Sequence, residues 1–144
     1  MPAVIHPLRV ATILRAAGFS EFREENLLIA ALFHDLLEDT EYTETDLEVQ
    51  ANEDVATIVK QLTKPECGSK EDYLEGLAQA SREAQIIKLA DRIDNLRDME
   101  TAGWSAEKRK SYAEQAQIIL RTCGGAHPVL KSALQQEIDR VFAE

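Results

Sequence analysis

Cysteine is scarce in this sequence, and the positions of the two thiols exclude the usual cysteine sites. Only Cys67 and Cys123 occur in 144 residues, and they form neither a CxxC pair nor a dense disulfide framework. This usage is typical of a reducing compartment and argues against a thiolate metal centre. We therefore expect a cytoplasmic protein.

Long apolar runs and excess positive charge are also absent. No segment approaches the roughly 20 apolar residues that a membrane-spanning helix needs, and the start, MPAVIHPLRV, lacks the pattern of a signal peptide. A formal net charge of −10 repels the phosphate backbone of nucleic acids, although a small phosphorylated ligand can still meet a local basic cluster. The sequence thus predicts a soluble protein with neither a membrane nor a nucleic-acid partner.

Nearly every segment instead shows helical spacing of apolar residues, and none shows the sustained alternation of a strand. Glycine or proline separates these segments, and Ser105 is a predicted N-cap. A chain of this length supports one core, so we predict a single all-α domain, a helical bundle over residues 1–144. Leu27 to Phe33 is apolar on every side, which predicts a helix running to Leu37 and surrounded by other helices.

A polar cluster follows this apolar run in the stretch ALFHDLLEDT, residues 31–40. On a helix, His34 and Asp35 diverge by about 100°, so both can reach one ion from neighbouring directions, with Glu38 and Asp39 one turn later. Buried charge is tolerated only when it is paired, hydrogen-bonded or metal-bound. By themselves, however, His34 and Asp35 are more often a hydrogen-bonded core pair than ligands, and the two later carboxylates are ordinarily a solvated helix end.

A second cluster lies in KLADRIDNLR, residues 88–97. Lys88, Asp91 and Asn95 share one helix face beside an apolar stripe, which predicts Asp91 at the edge of the core. A simple ion pair of Asp91 with Lys88 or Arg92 is the alternative to a functional role.

The histidines outside these clusters receive different predictions. His6 precedes Pro7, as expected at the first turn of a helix, and offers a second imidazole ligand. Two imidazoles and two carboxylates suit Mn²⁺, Fe²⁺ or Zn²⁺ better than Ca²⁺. His127 precedes Pro128 in a glycine-rich segment, and we expect it to be exposed and uninvolved.

The ordered set of His6, His34 with Asp35, and Asp91 resembles the HD superfamily of metal-dependent phosphohydrolases. The stretches VIHPLRVA, ALFHDLLEDT, VKQLT, KLADRIDNLR and NLRDMETAGWSAEKRKSYAEQAQ resemble the hydrolase domain of the RelA/SpoT family, which removes pyrophosphate from the 3′ position of the alarmone (p)ppGpp. Within that family, the short single-domain alarmone hydrolases, including the metazoan SpoT homologues, are the most similar.

The resemblance implies a metal centre and an acid/base pair. By this likeness one Mn²⁺ would be bound by four side chains: His6, His34, Asp35 and Asp91. Glu38 and Asp39 match the family's catalytic carboxylates, which orient water and move protons to the leaving ribose 3′-oxygen.

The resemblance also implies a binding site for the nucleotide. Asn95 matches the residue that contacts the sugar, and Tyr112 matches an aromatic hydroxyl near the substrate phosphates. Four basic side chains are candidates for phosphate contacts, namely Lys88, Arg92, Lys108 and Arg109. Each of the four is individually an ordinary solvated charge in the alternative interpretation.

The chain departs from this family's pattern at its start. The family has a basic helix before the His-Pro motif that holds the guanine base, whereas only five residues precede His6. We expect this helix to be missing: either the sequence is a fragment or begins at a downstream methionine, or the base site is more open. The expected activity is (p)ppGpp hydrolysis to GDP or GTP and pyrophosphate. The alternatives are another nucleotide or phosphate monoester as substrate, or a catalytically silent nucleotide-binding module. A homo-oligomer is compatible with each of them.

Overall fold

A computed structural model describes residues 5–20, 23–99 and 102–144, and these residues are largely helical. The helices are α1 (Ile5–Ala16), α2 (Glu25–Phe33), α3 (Leu36–Asp39), α4 (Glu44–Gln50), α5 (Glu53–Gln61), α6 (Lys70–Gly76), α7 (Arg82–Asp98), α8 (Ala106–Cys123) and α9 (Pro128–Phe142). Short 3₁₀ turns follow α6 and α8. No strand occurs in the described ranges, which confirms the all-α prediction.

Helix α7 is the centre of the bundle. It packs against α1, α2, α5, α8 and α9, and its apolar residues Ile86, Leu89 and Ile93 are fully buried. A helix surrounded in this way buries its charged residues as well, so Asp91 and Arg92 have almost no exposed surface. These polar groups need partners inside the fold.

Helix α2 was predicted to hold the central position, and that prediction is wrong. Leu27 and Leu28 are buried, but Leu32 and Phe33 are each 38% exposed. Because α2 packs on α1 and α5 and only lightly on α7, one of its faces stays at the surface. An apolar sequence all round a helix permits full burial but does not require it.

The predicted continuous helix to Leu37 is also wrong, because the helix breaks at His34 and Asp35. The His34 imidazole donates from Nδ1 to the carbonyl oxygen of Ala31 at 2.6 Å, which is the acceptor that the Asp35 amide would use in a continuous helix. Asp35 adopts φ −95° and ψ 0°, and α3 starts afresh after it. After the break, the His34 side chain contacts Asp91 of α7, and the Asp35 side chain lies beside His34 and His6.

Helix starts follow the usual capping chemistry. Ser105 accepts a hydrogen bond from the Lys108 amide, which confirms the predicted N-cap of α8. His127 was expected to be exposed and uninvolved, but it is half-buried and its Nδ1 accepts from the Leu130 amide at the start of α9.

Among the described residues, no helix is both long and apolar enough to cross a membrane.

Candidate metal and phosphate site

Three separate parts of the fold bring the four predicted metal ligands together. His6 lies in the first turn of α1, His34 and Asp35 follow α2, and Asp91 lies midway along α7. The Asp91 Oδ1 atom is 2.7 Å from His6 Nε2 and 3.2 Å from His34 Nε2. Asp35 Oδ2 is 3.2 Å from His34 Nε2 and 3.9 Å from His6 Nε2. Asn95, one turn beyond Asp91, has its Nδ2 3.5 Å from the same Oδ1.

The donor atoms of His6, His34 and Asp35 are grouped closely enough to share one divalent cation. Asp91 lies outside that three-residue group but contacts both imidazoles. Ligands about 2.1 Å from an ion and at right angles to each other are about 3 Å apart. Of the four separations between atoms of the predicted ligands, three lie near that value. One ligand atom from each of His6, His34 and Asp35 lies within 4.8 Å of the other two. Because His34 Nδ1 donates to a backbone carbonyl oxygen, its Nε2 is the nitrogen that is directed at the carboxylates.

When only protein groups are present, the electrostatics of the site favour the ionised forms of Asp91 and His6. Burial opposes ionisation of Asp91, but the Lys88 charge and the hydrogen bonds from His34 and His6 outweigh it and hold the pKa of Asp91 well below its usual range. Burial likewise opposes protonation of His6, yet hydrogen bonds to Asp91 and Asp94 raise its pKa to about 10. A cation that binds here therefore competes with protons for the imidazole nitrogens.

A basic cluster adjoins the carboxylates, and we define it as Lys70, Lys88 and Arg92. Lys88 Nζ is 3.2 Å from Asp91 Oδ2, while Lys70 Nζ and Arg92 Cζ lie 5.8 and 4.4 Å from the centroid of the Tyr112 ring. Burial, and next the charges of Arg92 and Lys88, lower the pKa of Lys70. In a protein with a net charge of −10, this local concentration of cations is suited to an anionic ligand.

Arg92 is the most deeply buried member of the basic cluster, with 1% of its surface exposed. Its Nη1 donates to the Tyr112 carbonyl oxygen at 3.1 Å and to Gln115 Oε1 at 3.2 Å, both of which are neutral acceptors. Its buried Nε has no hydrogen-bond partner among the described residues. Among the described residues, no hydrogen-bonded carboxylate compensates the guanidinium charge, and the charge of Asp91 acts on it through space.

The predicted catalytic carboxylates lie at the rim of this cluster and are exposed. Glu38 Oε1 accepts from the Lys64 amide at 2.6 Å, and the charge of Glu38 acts on Lys70. Burial is the largest influence on Asp35 and raises the pKa of its carboxyl group, and the charge of Asp39 raises this pKa further. The charges of both carboxylates thus act on residues of the site, and their catalytic role stays a prediction.

Lys108 and Arg109, also predicted as phosphate contacts, make their described contacts elsewhere. Lys108 Nζ lies 3.9 Å from the centroid of the Trp104 ring. Arg109 Nε donates to Glu144 at 3.1 Å, and its Nη1 donates to the Trp104 carbonyl oxygen. These contacts tie the start of α8 to the end of the described chain, and a role in binding phosphate stays a prediction for both residues.

Sequence reasoning missed three residues of the site. Asp94 accepts from His6 Nδ1 at 2.6 Å, and Arg9 donates to Asp94 at 2.8 Å. The available signal was spacing, since Asp94 lies three residues after Asp91 and Arg9 lies three after His6. Lys70 had no comparable signal, because only the folded chain brings α6 beside α8.

Comparison with protein families agrees with this arrangement. The HD domain family matches residues 3–96, a range that includes all four predicted metal ligands. The chain therefore belongs to the HD domain family, as the ordered histidines and aspartates had indicated.

Individual relatives show which members of the HD domain family this chain resembles. A Drosophila melanogaster protein named guanosine-3′,5′-bis(diphosphate) 3′-pyrophosphohydrolase MESH1 is 32% identical over 99% of this chain and 80% of its own length. The structure of a metazoan SpoT ortholog, described as hydrolysing ppGpp, superposes with a TM-score of 0.86 at 32% identity, over 97% of this chain and 82% of that one. A Listeria monocytogenes crystal structure matches 98% of both chains with a TM-score of 0.76 at 28% identity. These similarities confirm the predicted resemblance to the small alarmone hydrolases.

Proposed function

We propose that this chain is a metal-dependent hydrolase that removes pyrophosphate from the 3′ position of guanosine 3′,5′-bis(diphosphate), giving GDP and pyrophosphate, or GTP from the pentaphosphate. One observation supports it most directly: the nitrogen and oxygen donors of His6, His34 and Asp35 lie together, with Asp91 against both imidazoles, beside the basic cluster. Relatives of similar length carry this activity in their names.

The proposed metal centre uses the four converging side chains, with Mn²⁺ as the proposed ion and Fe²⁺ or Zn²⁺ as alternatives. A bound divalent cation supplies Lewis-acid polarisation of a phosphoryl oxygen and makes water a better nucleophile near neutral pH. The protein orients the donors: His34 is held by the Ala31 carbonyl oxygen and His6 by Asp94. A rigid arrangement of donors lowers the cost of ordering them when the ion binds.

The basic cluster is the proposed site for the substrate phosphates. Lys88 already neutralises Asp91, so Lys70 and Arg92 are the cations with the most charge left for a bound anion. Both of these cations lie over the Tyr112 ring, and this placement supports the predicted position of Tyr112 near the phosphates. Asn95, next to Asp91, is the proposed contact to the sugar.

Glu38 and Asp39 are the proposed acid and base. Water oxygen forms a bond to the 3′-linked phosphorus while the bond from that phosphorus to the ribose 3′-oxygen breaks. A carboxylate takes the proton from water, and a proton is delivered to the departing 3′-oxygen. Exposed carboxylates at the rim suit this exchange because they equilibrate with solvent after each turnover.

The proposed setting is the cytoplasm, with a phosphorylated nucleotide as the partner. Cys67 and Cys123 are both free thiols, which supports a reducing compartment. The net charge of −10 supports a small anion bound at a local cluster over a nucleic acid.

Purified protein incubated with Mn²⁺ and ppGpp tests this proposal. Ion-exchange separation should show GDP and pyrophosphate in equal amounts, and a chelator should abolish their formation. His34→Ala serves as the inactive control, and a panel of guanosine and adenosine nucleotides with and without 3′-phosphates tests the substrate class. Turnover of another nucleotide in place of ppGpp would overturn the substrate, and binding without any turnover would favour the silent module.

A further inference from the structure

A buried aspartate joins two residues of α1 that lie one turn apart. Asp94, whose side chain is 5% exposed, uses Oδ2 to accept from His6 Nδ1 at 2.6 Å and Oδ1 to accept from Arg9 Nε at 2.8 Å. Arg9 also approaches Asp98 at 3.5 Å. The result is a chain of contacts from Arg9 through Asp94 to the imidazole, with each carboxylate oxygen committed to one donor.

This arrangement restricts the imidazole in two ways. A ring that donates from Nδ1 to a carboxylate keeps its proton on that nitrogen when it is neutral, so the free lone pair is on Nε2. The His6 Nε2 atom is the one 2.7 Å from Asp91. The short contact also restrains rotation of the ring, because a turn of the imidazole breaks the bond to Asp94.

We propose that Asp94 is a positioning residue for the divalent-cation centre and that Arg9 acts through it. This inference rests on the proposed metal function, and it assigns to these two residues the orientation and basicity of His6. Arg9 holds the carboxylate from the opposite oxygen and balances its charge. Asp94 therefore remains directed at His6 and does not turn toward solvent.

The competing explanation is purely structural, with Asp94 only tying α1 to α7. Both explanations predict lower thermal stability when Asp94 is removed. They differ in cation affinity: a structural tie has no reason to weaken cation binding in a variant that remains folded. They also differ in the cation affinity of the double variant. If Arg9 acts on His6 through Asp94, the two losses of cation affinity are non-additive.

The test is a calorimetric titration of Mn²⁺ into wild type, Asp94→Ala, Arg9→Ala and the double variant, with folding checked by circular dichroism. Removal of the partner of a metal-bound histidine typically costs about 10- to 100-fold in affinity, and we expect this loss for Asp94→Ala. Arg9→Ala should lose less, and the double variant should match Asp94→Ala alone. Arg97→Gln is the matched control, since Arg97 lies on α7 but pairs with Glu137, and it should bind as wild type does.

Two further measurements keep the proposal falsifiable. If Asp94→Ala does not fold, Asp94→Asn replaces it: the amide offers one acceptor for two donors, so a weaker loss in the same direction is expected. Wild-type Mn²⁺ affinity in a folded Asp94 variant would overturn the proposal, as would additive losses in the double variant. Failure of the wild-type protein itself to bind Mn²⁺ would overturn the metal function, and this inference with it.

Discussion

Replacement of Asp91 by alanine tests the site most severely, because this carboxylate belongs to both the proposed metal centre and the core. Its side chain is 8% exposed, and Lys88, its partner at 3.2 Å, is 10% exposed. Removal of one member of a buried ion pair leaves the other charge uncompensated, at a cost of about 3–5 kcal/mol. For a chain of this size that cost corresponds to a fall of roughly 10 °C in melting temperature. The loss of a ligand should also abolish tight Mn²⁺ binding.

Thermal unfolding followed by circular dichroism, with chelator and then with Mn²⁺, separates the two effects. The double variant Asp91→Ala/Lys88→Met removes the uncompensated ammonium as well, so it should recover part of the lost stability without recovering Mn²⁺ binding. Additive destabilisation in the double variant would refute the ion-pair reasoning. An Asp91→Ala protein with wild-type melting temperature and Mn²⁺ affinity would refute both roles of the residue.

The remaining predictions concern chemistry, protons and substrate. Glu38→Gln and Asp39→Asn should leave Mn²⁺ and nucleotide binding intact in calorimetry while turnover of ppGpp falls about 10²- to 10⁴-fold. Wild-type rates in both variants would instead support the interpretation of the pair as a solvated helix end. Because the pKa of His6 is raised to about 10 in the protein without an ion, Mn²⁺ binding near pH 7 should release protons and weaken as the pH falls. Titrations in buffers of different ionisation enthalpy measure this release, and a buffer-independent binding enthalpy would contradict it. Lys70→Met should raise the KM for ppGpp roughly 10-fold or more, whereas Lys110→Met, at an exposed lysine of α8, should not; equal effects would argue against a specific contact.

The sequence by itself determined the fold class and the set of side chains that meet at the candidate site. Helical spacing and the position of breakers are local properties, and Gly18 indeed ends α1 with a positive φ of 106°, which glycine adopts without strain. The sequence motifs predicted which residues meet in the structure, namely His6, His34, Asp35 and Asp91. The local patterns left a structural alternative open for each residue, and the resemblance to the HD superfamily joined them into one set.

Some predictions failed because they concerned which face of a helix meets which neighbour. The apolar segment ending at Phe33 has the pattern of a central helix, yet Phe33 is partly exposed. The central position belongs to α7, whose sequence contains many charged residues. Composition does not distinguish these cases, because a charged residue can be buried when its partners come from other helices. The break at His34 likewise depended on a hydrogen bond between a side chain and the backbone, which spacing alone does not reveal.

Only the tertiary structure decided which residues contact the proposed ligands. Asp94 is 88 residues from His6 in the chain and 2.6 Å from it in space, and Lys70 reaches the site only because α6 packs on α8. Helix periodicity says that Asp94 shares a face with Asp91, but the crossing of α1 over α7 determines what that face meets. Local sequence sets the chemistry that each helix offers, whereas the packing of one helix on another decides which of those groups act together.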